Sequence, residues 1–202
     1  MRQSPLDRQL IRGDEVTRVS TSAVYFLFNE LCVRTKCRDP VEWESRLATL
    51  GQAAGARSYE ISLIREPLRH RKTGAEDILV TVVAGMLWPR WFGKKGEVQR
   101  ELGSESFLIV EENLSLTQFA RSMPSEYYST SDNPENPAKP LLESVLSLAA
   151  YVGGMVEGAL HSAGFPAKVS SFEDPNRPQA HKSLFRVEFE PVVLERERRR
   201  QK

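Results

Sequence analysis

Apolar residues recur at spacings of three and four in four stretches of the chain, and in short runs or alternation in three others. The first helical pattern opens near Ser20 in "STSAVYFLFNELCVR". Hydroxyl side chains there suit a cap, and Val24, Phe28 and Leu31 follow at spacings of four and three. Tyr25, Phe26 and Leu27 add apolar surface beyond the one face a surface helix needs. A second helix is predicted from "DPVEWESRL": Asp39 as N-cap, Pro40 at the first helical position, and Glu42 placed to reach back to the cap. Trp43, Leu47, Leu50 and Ala54 form its stripe, extended by Ile61 and Ile64. Gly51 and Gly55 share one side. Glycine is the poorest helix former after proline, so two in register predict a closely approaching neighbour.

A third helix is predicted from about Ala75, with Ile78, Leu79, Val82, Val83, Met86 and Leu87 as its apolar positions. Pro89 should kink or end it, and Gly93 suits the C-cap. "KKGEVQRE" reads as a polar connection or short helical turn. "SFLIVEEN" is a strand, and the Pro-, Ser- and Asn-rich 125–140 stretch is a long exposed loop. A fourth helix runs from about Leu141 to Ala163, where Leu142, Val145, Ala149, Val152, Val156, Ala159 and Ala163 hold a sustained stripe. Gly164 and Pro166 stop it. "AKVSSFE" and "SLFRVEFE" are strands able to pair as an antiparallel hairpin. In the second, Phe185, Val187 and Phe189 point one way and Arg186, Glu188 and Glu190 the other. Helices and strands are partly segregated, which predicts an α+β fold with an antiparallel sheet and helices on one face.

Composition narrows this little. The chain has 202 residues, 40% hydrophobic and 27% charged, with a formal net charge of +1. That suits one globular domain with a real core and gives no bulk field for nucleic acid. Two cysteines do not make a disulfide framework, and no apolar run reaches the roughly 20 residues of a membrane span. The expectation is an intracellular single domain at 20–194, an N-terminal arm at 1–19 and a charged tail at 195–202 that reads as a solvated helix end.

Candidate chemistry is sparse. Gly153 and Gly158 fit the outer positions of a dinucleotide fingerprint, but the middle position is Met155 and a helical stripe precedes them where a strand is required. "FGKKGE" lacks the spacing and hydroxyl of a Walker loop. Cys32 and Cys37 are five apart, off a common helical face, and His70, His161 and His181 lie in different segments. No G-x-S-x-G elbow occurs. The reading is no catalytic residue, no cofactor and no metal. Gly51, Gly55, Gly154 and Gly158 are expected as close helix packing. For the first helix, with Val24, Tyr25, Phe28 and Leu31, a partner interface and a core role weigh equally, because aromatic residues are enriched at interface cores.

Six stretches in order carry a resemblance: "TSAVYFLFNEL", "RLATLGQAAGARSYEISLIRE", "LWPRWFGKKGEVQRE", "SFLIVEENLSL", "GGMVEGALHSAGFPAKV" and "FRVEFEPVVLERE". Over residues 20–198 the chain resembles the TRAPP (transport protein particle) small-subunit family. The resemblance implies a four-stranded antiparallel sheet against four main helices, the extra strand lying at about Leu114–Thr117. It implies a non-enzymatic scaffold that joins a related subunit of the same fold and a longin-type subunit. Their complex tethers vesicles at endoplasmic reticulum and cis-Golgi membranes and acts as a guanine-nucleotide exchange factor for a Rab GTPase, mainly through other subunits. One related subunit carries an acylated cysteine between its second and third helices. Here that connection, "REPLRHRKTGAE", has none, so no lipid is carried over. Pro89 also departs from the family, which has Lys or Arg there. A small-molecule-binding module of the same fold, its cavity flanked by the glycine-lined helix, stands as the alternative. Membrane contact through Arg69–Lys72 and Arg198–Lys202 would be secondary.

Overall fold

The computed structural model describes residues 21–37, 39–65, 74–112, 114, 139–173 and 182–200. Among these the chain forms α1 (Thr21–Thr35), α2 (Pro40–Arg65), α3 (75–92), β1 (Glu97–Arg100), β2 (Phe107–Glu112), α4 (Lys139–Ser162), β3 (Ala167–Glu173), β4 (Lys182–Phe189) and α5 (Pro191–Arg200). The strands make one antiparallel sheet in the order β1-β2-β4-β3. The fold is α+β with a four-stranded antiparallel sheet, and β3 and β4 pair as the sequence predicts. The arm at 1–19, the connection at 69–72 and the loop at 125–140 lie outside the described residues, except that Lys139 and Pro140 already begin α4.

Among the described residues the fourth strand is β1, and the segment expected at about 114–117 is described only at Leu114. Leu114 is buried but belongs to no strand, and 115–117 lies outside the described residues. Periodicity missed β1 because it is a sheet edge: "EVQR" has one apolar residue, and pairing with β2 supplies the order instead.

Register explains the core. Phe107, Ile109, Phe185, Val187, Phe189 and Ala167 share the inner sheet face and are buried, whereas Glu188 and Lys168 lie exposed on the other. Ile78, Leu79, Val82, Leu87 and Trp88 of α3 and Val152, Val156 and Ala159 of α4 complete this core. Val193 of α5 joins it, so the tail boundary drawn at 195 falls inside a docked helix.

Pro89 does not end α3. From Ile78 to Leu87 the helix widens to i→i−5 bonding, seen where Trp88 N–H donates to Val83 O. The next bond in that register would run from residue 89 to Ala84 O, and proline has no N–H to give. Gly96 N–H takes that carbonyl instead, at 3.0 Å. An ordinary helical segment then runs from Trp88 to Phe92 and closes at Gly93, whose φ of 77° is the left-handed conformation of a C-cap.

The start of α2 is capped as predicted by Asp39, whose Oδ1 accepts Val41 N–H at 3.0 Å. Glu42 does not reach back; it pairs with Arg46 at 2.5 Å. The buried side of α2 also differs from its predicted stripe. Trp43, Leu47, Gly51, Gly55, Tyr59 and Ser62 face inward, and Leu50, Ile61 and Ile64 are exposed. The contact follows the glycines, where backbone can approach backbone, and larger residues are turned outward.

Candidate functional site

Two glycine pairs meet where α2 crosses α4. A Cβ at Gly51 would fall on the carbonyl oxygen of Tyr151, and one at Gly55 on that of Met155. Reciprocally, a Cβ at Gly154 would strike Ala48 O, and one at Gly158 would strike Gln52 O. All four are backbone atoms, which cannot swing aside. The glycine face of α4 is therefore filled by α2, so no ligand sits directly against those glycines. Gly153 points the other way, 3.6 Å (from a Cβ built there) from Val169 Cγ1 and 3.9 Å from Phe185. α4 is thus packed on both sides, between α2 and the sheet. No phosphate has access to its glycines.

This approach brings a polar group into play that periodicity does not mark. Glu157, half-buried on α4, accepts from Gln52 Nε2 of α2 through Oε1 at 2.6 Å and from Val169 N–H of β3 through Oε2 at 3.0 Å. One carboxylate joins two helices and the sheet.

α1 is anchored at one side only. Phe28 and Leu31 are half-buried against a small cluster of Cys32, Trp43 and Leu47, and the Phe28 ring meets Tyr151 edge-on at 5.0 Å. Trp43 Nε1 donates to Thr35 Oγ1 at 3.3 Å, tying α1 to α2. Tyr25 is half-buried. Val24 is 45% exposed and Leu27 73% exposed. The four predicted interface residues therefore divide: Val24 faces solvent, Phe28 and Leu31 serve internal packing, and Tyr25 lies between. Leu27, counted at first only as added apolar surface, presents more area than any of them.

The "LWPRWFGKKGE" stretch forms a closed corner. Trp88, Trp91 and Phe92 stack with ring centroids 4.9 to 6.2 Å apart, and Trp88 meets Phe185 of the sheet at 5.8 Å. Buried Glu111 accepts from Trp88 Nε1, and Lys94 reaches its other oxygen. Lys94 thus pairs with a structural carboxylate. Cys32 is fully buried, and burial pushes its thiol up to about 12. Such a thiol is a poor nucleophile. Among the described residues, no three His, Cys, Asp or Glu side chains gather as a metal site, and no helix is long and apolar enough to cross a membrane. Of the basic tail, Arg198 pairs with Glu105, Arg199 with Glu195 and Arg200 with Glu197.

The comparisons with known proteins give this α+β architecture a family. A family model described as transport protein particle (TRAPP) component matches residues 24–190. The chain is 31% identical over 198 residues to human "Trafficking protein particle complex subunit 5", covering 96% of this chain and 91% of the relative. The mouse protein of that name is 30% identical, and the Dictyostelium discoideum one 28% identical over 201 residues. Among solved structures, a trafficking protein particle complex subunit 3 from Naegleria fowleri, covalently bound to palmitic acid, superposes with a TM-score of 0.59 at 16% identity. It covers 83% of this chain and 92% of its own, a likeness of fold. By the extent of the family match and of its curated relatives, the chain belongs to the TRAPP component family.

Proposed function

We propose that this chain is a non-catalytic scaffold subunit of a TRAPP vesicle-tethering complex, supporting assembly of a Rab guanine-nucleotide exchange factor in endoplasmic reticulum to Golgi transport. The observation that carries the reading is α1. Its inner side is fixed by Phe28, Leu31 and Thr35, and its outer side presents Val24 and Leu27 to solvent. A helix anchored on one side with an apolar outer face is a geometry by which one helical subunit docks on another. The partners are other small TRAPP subunits, one of the same fold and one of longin type. Contact with the GTPase is indirect, and association with endoplasmic reticulum and cis-Golgi membranes is peripheral, through the complex. Nothing in this role asks the chain to bind a nucleotide, metal or nucleic acid.

Affinity capture of the tagged full-length chain from cell extract tests the proposal. Other TRAPP subunits should accompany it in fixed proportion through gel filtration. A chain recovered alone, or with a stoichiometric metabolite and no TRAPP subunit, overturns it.

A further inference from the structure

The backbone donor of Trp88 has two helical acceptors to choose from: Val83 O, five residues back, and Ala84 O, four back. Ordinary helical bonding takes the nearer one. Trp88 N–H instead donates to Val83 O. That choice leaves Ala84 O in need of a donor, because Ala84 is buried and an unpaired carbonyl there is costly. In the same register the donor would come from residue 89, which is proline. Gly96 N–H supplies it from outside the helix at 3.0 Å, immediately before β1 begins at Glu97. Glycine suits this approach: a Cβ built at residue 96 lies 3.0 Å from Trp88 Cγ and 3.2 Å from Ala84 Cβ. The turn that carries Gly96 also reaches the partner of the Trp88 indole. Lys94 pairs with Glu111, which accepts from Trp88 Nε1 at 2.7 Å.

We infer that Gly96 is a register lock on α3: by filling the Ala84 carbonyl it keeps Trp88 N–H on Val83 and the indole on Glu111. The lock operates because Pro89 leaves that carbonyl open; a donor at residue 89 would fill it from within the helix. Movement of the 94–96 turn away from α3 releases Ala84 O. Trp88 N–H is the nearest donor in sequence able to take it, by returning that turn of the helix to i→i−4 bonding. The return rotates the indole away from Glu111 and from the Phe185 ring it meets at 5.8 Å. The start of β1 is thereby coupled to the buried core through one amide.

The test uses the isotope-labelled full-length chain and nuclear magnetic resonance couplings across hydrogen bonds, which identify the carbonyl each amide uses. In the parent, Trp88 N–H should couple to Val83 and Gly96 N–H to Ala84. Gly96→Pro removes the donor. It should move the Trp88 coupling to Ala84, shift the indole Nε1–H resonance, and speed exchange of that indole proton by about tenfold or more, as local opening does. Gly96→Ala keeps the donor and adds only the Cβ, so Trp88 should stay on Val83. Should Gly96→Pro fail to fold, Pro89→Ala decides. It gives the helix its own donor and should speed exchange of the displaced Gly96 amide by about tenfold or more. A Trp88 coupling that stays on Val83 in folded Gly96→Pro, one that moves equally in Gly96→Ala, or unchanged Gly96 exchange in Pro89→Ala each overturns the inference.

Discussion

Trp88 Nε1 donates to Glu111 Oε2 at 2.7 Å, and both side chains are buried. Lys94 Nζ stands 2.5 Å from the other carboxylate oxygen, as an ion pair without hydrogen-bond alignment, and donates to Glu112 O at 2.7 Å. The end of α3, the turn after it and the central strand β2 are joined here by one carboxylate. A buried charge survives only when paired, and a buried indole N–H only when it has an acceptor.

Replacing Glu111 with Leu should therefore cost more than its loss of charge suggests. It strands the Trp88 donor in the core, a penalty of about 1–3 kcal/mol. Urea unfolding followed by tryptophan fluorescence measures it. Glu111→Gln, which keeps an acceptor, should cost less than Glu111→Leu. Equal losses would contradict the hydrogen bond's role.

The glycine crossing makes a sharper claim. Alanine normally strengthens a helix by roughly 0.5–1 kcal/mol over glycine. At Gly55 or Gly154 it should instead weaken the protein, because its Cβ meets a backbone carbonyl of the facing helix. Overpacking costs about 1–3 kcal/mol, enough to outweigh the helix preference. A lower urea midpoint for each variant is expected. A raised midpoint would show that α2 and α4 do not touch there.

The thiols should react in order. Cys37 is half-buried at the surface end of α1, whereas Cys32 is wholly buried and its thiol is pushed up to about 12 by desolvation. Iodoacetamide at neutral pH should alkylate Cys37 in the native protein and Cys32 only after denaturation, as read by peptide mass spectrometry. Native labelling of Cys32 would mean that α1 lifts away from α2.

Acid stability should depend on Glu101. Its carboxylate receives two donors of Arg186 and the Ser106 hydroxyl. The Ser106 hydrogen bond, then that of Arg186, holds it below its ordinary 4.5. The depressed value means the folded state favours the charged form. The stabilisation is present above 4.5 and is lost as pH falls through the folded value. Glu101→Gln should flatten that part of the stability profile, measured as urea midpoint against pH. An unchanged acid limb would contradict it.

How far the sequence reaches is visible in α2 and β1. The predicted α2 stripe runs through Leu50, Ile61 and Ile64, because an apolar pattern equates hydrophobicity with burial; the buried line instead runs through Gly51 and Gly55. A contact made by absent side chains is invisible to an apolar count, although the glycine spacing itself was legible. β1 gives no periodic signal because an edge strand with one apolar residue takes its order from pairing with its neighbour, here Phe107–Glu112. Glu157 gave no signal at all. A carboxylate among apolar residues reads as a solvated position until the helix crossing brings Gln52 and Val169 to it. Pro89 is expected to kink or end its helix; the helix instead continues to Phe92, because Gly96 N–H, beyond the helix end, takes the Ala84 carbonyl that proline leaves unpaired.

The exposed side of α1 separates the partner-binding account from a purely internal role. Val24→Asp and Leu27→Asp should leave the circular dichroism unchanged, since both side chains already face water. Phe28→Asp is not an equivalent probe, because Phe28 packs against Tyr151. The most direct measurement is capture of the full-length Val24→Asp/Leu27→Asp chain from cell extract beside the parent. The parent should bring the other TRAPP subunits, and the folded variant should lose at least one of them. A variant that recovers the same subunits in the same proportions would contradict the assignment of α1 as the docking face.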